Sequence, residues 1–220
     1  MSRTTKIVLV VWVLALIGAG AWVARDSLQS GDSAANQPKG FFKTETASLA
    51  AQIGGPFKLI DQNGVERTDQ DFRGKLMLVY FGYTYCPDVC PTELTVITTA
   101  LDQLGADAAQ VAPIFITVDP ERDTAKVMKD YVAQFSDKLI GLTGSDRDIA
   151  AVAKAYRVYY AKAPGADGSP YLMDHTSLIY LMGRDGRFLK HFTPNGKAED
   201  IAAAIRDAIK ASPPPAAAGK

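Results

Sequence analysis

Two short apolar runs constrain this chain most: Leu76-Met77-Leu78-Val79-Tyr80-Phe81 and Pro113-Ile114-Phe115-Ile116-Thr117-Val118. A strand with one wet face alternates apolar and polar residues. A run of this length without alternation, bounded by turn residues, fits a central strand covered on both faces. Such a sheet needs helices on either side, and the chain supplies them. Pro91 suits the first turn of a helix in which Leu94, Ile97, Leu101 and Leu104 recur at helical spacing. Asp123 or Thr124 caps a helix to about Phe135, and Ser145 or Asp146 begins one reaching Tyr156. Leu139 to Thr143 reads as a short strand, and a last helix runs from about Ala198 to Ala211. Two hairpins frame these elements: Phe57–Ile60 with Val65–Thr68 across Asn63-Gly64, and Thr176–Met182 with Arg187–Phe192 across Asp185-Gly186. The order predicts an α/β domain of thioredoxin-like fold, a central mixed sheet flanked by helices with an N-terminal hairpin.

The flanks differ from this domain. Ile7 to Ala24 carries no charge and no proline, and its 18 residues are preceded by Arg3 and Lys6. At about 1.5 Å rise per residue the run approaches the thickness of a bilayer core. The basic residues retain the N-terminus in the cytoplasm and send the remainder across. A cleaved signal ending near Gly18-Ala19-Gly20-Ala21 competes with a transmembrane anchor, but the apolar run continues through Trp22 and Val23, which favours the anchor. The expected organisation is an N-terminal membrane helix over 1–24, a polar tether over 25–52, the folded domain over 53–211 and a Pro/Ala tail over 212–220. The domain then lies on the periplasmic side of the inner membrane. Lys+Arg and Asp+Glu balance at 24 each, so no basic excess points to nucleic acid.

The chain has two cysteines, Cys86 and Cys90, separated by Pro87-Asp88-Val89. An exported domain places them in an oxidising compartment. Their spacing allows only local chemistry, either a redox-active disulfide or a shared metal ion. They follow the central strand and precede a helix, where ligands bind in open α/β sheets and where unsatisfied N–H groups favour thiolate over thiol. Of two histidines, His191 reads as a surface residue of the closing hairpin. His175 sits in the loop Tyr171–His175, which in a thioredoxin-like fold packs beside the cysteine loop. Two sulfurs and one imidazole form an open three-donor set, which suits copper better than a closed four-ligand zinc site. Asp174 is the candidate to orient His175.

Three blocks carry a family resemblance: Tyr85-Cys86-Pro87-Asp88-Val89-Cys90-Pro91, Val118-Asp119-Pro120-Glu121-Arg122-Asp123-Thr124, and Asp174-His175-Thr176-Ser177 with Tyr180-Leu181. In this order they resemble the Sco/SenC copper proteins over about Gly54 to Ala211. The resemblance implies a membrane-anchored copper metallochaperone that binds Cu(I) and Cu(II) through Cys86, Cys90 and His175. Its implied partner is the CuA site of cytochrome c oxidase subunit II, together with another periplasmic copper chaperone or thiol reductant. The alternative is a thiol–disulfide oxidoreductase that uses Cys86 and Cys90 to reduce the cysteines of the CuA apo-site or of other exported proteins. A peroxidase is disfavoured, because Thr84 precedes Cys86 without the usual intervening proline. Asp119 falls near the site at a strand end, where a structural role is expected.

Overall fold

The computed structural model describes residues 53–165 and 168–212. The expected anchor over 1–24, the tether over 25–52 and the tail beyond Ser212 lie outside the described residues. None of the helices among the described residues is long and apolar enough to cross a membrane.

The two apolar runs form the centre of a seven-stranded mixed sheet. The strands are β1 (Lys58–Asp61), β2 (Glu66–Thr68), β3 (Leu76–Gly82), β4 (Val111–Thr117), β5 (Ile140–Thr143), β8 (Ile179–Met182) and β9 (Phe188–Phe192), in the order β2-β1-β5-β4-β3-β8-β9. β3 and β4 are parallel from Leu76↔Val111 to Gly82↔Thr117, and every residue of both is buried. That burial on both faces is what the missing alternation predicted. β4 continues parallel to β5, while β8 joins β3 antiparallel and the two hairpins close the edges antiparallel. Pro113 is tolerated inside β4 because pairing with β5 starts only at Ile114.

The helices are α1 (Val89–Leu104), α2 (Ala125–Val132), α3 (Asp146–Ala155) and α4 (Ala198–Ala211). Thr124 and Ser145 cap α2 and α3 through side-chain oxygens that accept from Val127 N–H and Asp148 N–H. α1 packs against α4, and Leu94, Ile97 and Leu101 of the one and Ile201, Ala202 and Ile205 of the other are buried.

Two features depart from the expectation. α1 begins at Val89, so Pro91, its third residue, stands in the first turn as expected, but Cys90 lies within that turn rather than before the helix. None of the first helical positions has an internal acceptor for its N–H, so a proline fits the third as well as the first. The second departure is a separate two-stranded antiparallel ribbon, β6 (Tyr160–Ala163) with β7 (Leu172–His175), in register from Tyr160↔His175 to Ala163↔Leu172. The segment expected as a loop before the closing hairpin is therefore a strand, and His175 ends it.

Candidate metal centre

β3 ends at Gly82 and the chain turns through Tyr83–Asp88 into α1. Cys86 sits in that turn and is half-buried, while Cys90, inside the first helical turn, is fully buried; both are free thiols. Gly82 makes room for the buried sulfur. A Cβ on Gly82 would lie 2.8 Å from Cys90 Sγ, 2.9 Å from Phe115 Cε2 and 3.3 Å from Tyr80 Cε1. Only a residue without a side chain lets the strand end, the helix start and the aromatic floor converge there.

The ribbon brings the third donor. His175 Nε2 lies 3.5 Å from Cys90 Sγ. The ring stands edge-on to Tyr80 and Tyr83, with centroids 6.3 Å and 5.9 Å away. The Nδ1 atom is 3.2 Å from Thr176 O. A carbonyl only accepts, so Nδ1 carries the proton and Nε2 presents its lone pair to the sulfurs. Asp174 does not orient the ring. Side chains alternate along a strand, so Met173 and His175 face inward while Asp174 is exposed on the other face of β7. The orienting group is the Thr176 carbonyl, which side-chain chemistry alone does not reveal. Cys86, Cys90 and His175, with 85 positions between Cys90 and His175, bring their three donor atoms within 4.8 Å of one another. His191 stays outside, exposed on β9 opposite Tyr180.

The two thiols are electrostatically unlike. The hydrogen bond from the Cys90 thiol pulls the Cys86 pKa down to about 4, against the cost of burial, with help from the backbone N–H groups around the start of α1. Cys90 N–H itself points at Cys86 Sγ at 3.4 Å. Cys90 moves the other way: its hydrogen bond to Cys86 and its burial both hold the proton on. The site therefore pairs one half-exposed thiolate with one buried thiol.

The block Val118–Thr124 holds the surroundings in place. Asp123 is buried and accepts from Thr84 N–H (3.0 Å), Thr84 Oγ1–H (2.5 Å) and Thr117 Oγ1–H (2.6 Å), which ties the cysteine turn to the end of β4. Burial raises its pKa in opposition to those bonds. Asp119, also buried, accepts from Arg122 Nε–H and from Tyr171 Oη–H. The structural role expected for Asp119 is the one observed.

The donor set matches soft or borderline ions that take thiolate and imidazole together. A model of the SCO1/SenC family matches residues 45–210. The human mitochondrial SCO1 homolog is 44% identical over 155 residues, which covers 70% of this chain and 52% of that protein. This chain thus spans about half the length of that relative. The copper-bound structure of ScoI from Bradyrhizobium japonicum is 52% identical with a TM-score of 0.66, covering 70% of this chain and 98% of that one. BsSco, a member of the Sco family of cytochrome c oxidase assembly proteins in which a disulfide switch was identified, is 28% identical with a TM-score of 0.56, covering 70% and 91% of the two chains.

Proposed function

The chain belongs to the SCO1/SenC family, and on that premise we propose that it is a copper metallochaperone. It holds one copper ion through Cys86 Sγ, Cys90 Sγ and His175 Nε2 and assists assembly of the CuA centre in cytochrome c oxidase subunit II. The observation that carries this reading is the convergence of three donor atoms within 4.8 Å, two sulfurs and one imidazole nitrogen. Copper in a similar structure and oxidase assembly in a similar family member support it. The apolar run Ile7–Ala24 behind Arg3 and Lys6 supports an inner-membrane anchor with the domain on the periplasmic side, where another periplasmic copper chaperone is the natural donor.

Copper is cargo here, and each residue has a separable task. Cys86 meets the ion already ionised. Cys90 gives up its proton on loading, so binding is coupled to proton release. His175 is held as the tautomer whose Nε2 is free to ligate. Three protein donors leave the ion open to a fourth, and an incoming acceptor thiolate displaces the donors one at a time. Oxidation of Cys86 and Cys90 to a disulfide removes both sulfur ligands, so loading requires the reduced pair.

The asymmetry of the thiols supports a second reading, thiol–disulfide exchange. The Cys86 thiolate attacks one sulfur of a target disulfide and expels the other as a thiolate. Cys90 then loses its proton and attacks Cys86 Sγ, releasing the second target thiolate. Two electrons pass from the pair to the target, which leaves a Cys86–Cys90 disulfide. The two readings separate at His175. Titration of the reduced chain with Cu(I) against a competing chelator is expected to give one equivalent bound, with affinity lowered about tenfold or more in His175→Ala at unchanged thermal stability. Wild-type affinity in that variant overturns the ligand set. Loss of target-disulfide reduction only in the cysteine variants favours the second reading.

A further inference from the structure

The third donor stands on an element that the main sheet does not hold. The β6–β7 ribbon shares no ladder with the seven-stranded sheet, and a two-stranded ribbon alone is only marginally stable. Side-chain contacts must therefore fix where His175 stands. Arg122, in the turn after β4, makes the most connected of these. Its Nε donates to Asp119, and its Nη1 donates to Tyr171 O at 2.8 Å, at the residue that leads into β7. Its guanidinium lies over the Tyr171 ring, 3.8 Å from the centroid. Tyr171 returns the contact, donating its hydroxyl to Asp119 Oδ1 at 2.9 Å. A second pair, Lys162 Nζ with Glu121 at 2.6 Å, joins β6 to the same turn.

Arg122 also reaches the cysteine side. Its guanidinium lies 4.9 Å from the Tyr85 ring centroid and 5.8 Å from that of Tyr83. Tyr85 adjoins Cys86, and Tyr83 is one of the two rings that flank His175. One planar cation thus touches the approach to β7, the residue before Cys86 and the ring beside His175. Lysine has no equivalent, because it lacks both the forked donors and the stacking plane.

We propose that Arg122 is a positioning residue for the copper centre: it braces the His175 ribbon against the cysteine turn and thereby sets the third ligand. This rests on the copper reading of the site. Groups that orient a metal ligand directly change metal affinity by about 10- to 100-fold when removed, and a brace one step further out is expected at the lower end of that range.

The test is a double-mutant cycle on the reduced full chain, read as Cu(I) affinity. Arg122→Ala alone is expected to weaken binding by about tenfold or more, and Arg122→Lys to rescue it only in part. In a His175→Ala background, Arg122→Ala is expected to cost less than about twofold, because the ligand it positions is gone. An equal loss in both backgrounds overturns the proposal, since Arg122 then acts through the fold or the cysteines. Should Arg122→Ala fail to fold, Tyr171→Phe removes the hydroxyl bond to Asp119 and keeps the ring, and the same cycle is run on it. A metal-free readout separates this proposal from the copper reading: the His175 imidazole resonances of the reduced chain are expected to shift and broaden in Arg122→Ala. Unchanged resonances overturn the brace even if copper binds, and failure of the wild-type chain to bind copper overturns the copper reading while the resonances still judge the brace.

Discussion

Replacing Gly82 with alanine tests how the buried sulfur is accommodated. The added Cβ would sit 2.8 Å from Cys90 Sγ and 2.9 Å from Phe115 Cε2. Ordinary non-bonded contact is about 3.5–4.0 Å, so each neighbour must yield by about 1 Å. Phe115 and Cys90 are fully buried on a central strand and a first helical turn. Neither retreats freely. Overpacking of this kind costs about 1–3 kcal/mol. For a domain of this size that is roughly 2–12 °C in Tm. A sulfur displaced by about 1 Å no longer meets the ion together with Cys86 and His175, so Cu(I) affinity is expected to fall about tenfold or more. Thermal unfolding by circular dichroism gives the first quantity and chelator competition the second. Cys90→Ala removes the closest of the clashing atoms, so the stability losses of Gly82→Ala and Cys90→Ala are expected to be less than additive. Wild-type Tm together with wild-type copper affinity in Gly82→Ala would refute the steric reasoning.

Two further outcomes follow from separate parts of the molecule. Alkylation of the reduced chain by iodoacetamide is expected at Cys86 alone, at a rate that is flat at neutral pH and falls about tenfold per pH unit only below a midpoint of about 4; a midpoint in the ordinary thiol range would contradict the thiolate assignment. Arg184 is buried and donates to Ser212 O (2.7 Å), Gly74 O (2.6 Å) and Gln110 Oε1 (2.6 Å). Arg184→Met is expected to cost about 2–4 kcal/mol in urea unfolding while leaving copper affinity unchanged. A change in affinity would couple that end of the sheet to the metal centre.

Legibility in the sequence followed the strength of each physical signal. β3 and β4 announce themselves because seven consecutive buried residues leave no room for alternation, and the caps Thr124 and Ser145 stand where a hydroxyl can meet orphan N–H groups. The ribbon gives no such signal. β6 and β7 have four residues each, Met173 alone among them is buried, and Pro164 and Pro170 between them look like loop. Cys86, Cys90 and His175 were readable as residue types with a chemistry in common. What fixes the imidazole was not, because the Thr176 carbonyl is a backbone group that every residue carries and only the fold aims it. Arg122 escaped for a related reason: its partners Asp119, Tyr83, Tyr85 and Tyr171 converge through tertiary structure from three separate stretches of chain.

X-ray absorption at the copper edge of the Cu(I)-loaded chain tests the central claim most directly. The expected spectrum contains two sulfur scatterers and one imidazole, and the imidazole multiple scattering disappears in His175→Ala while sulfur remains. Imidazole scattering that persists without His175, or a single-sulfur shell in the wild-type chain, would contradict the assignment of Cys86, Cys90 and His175 as the copper ligands.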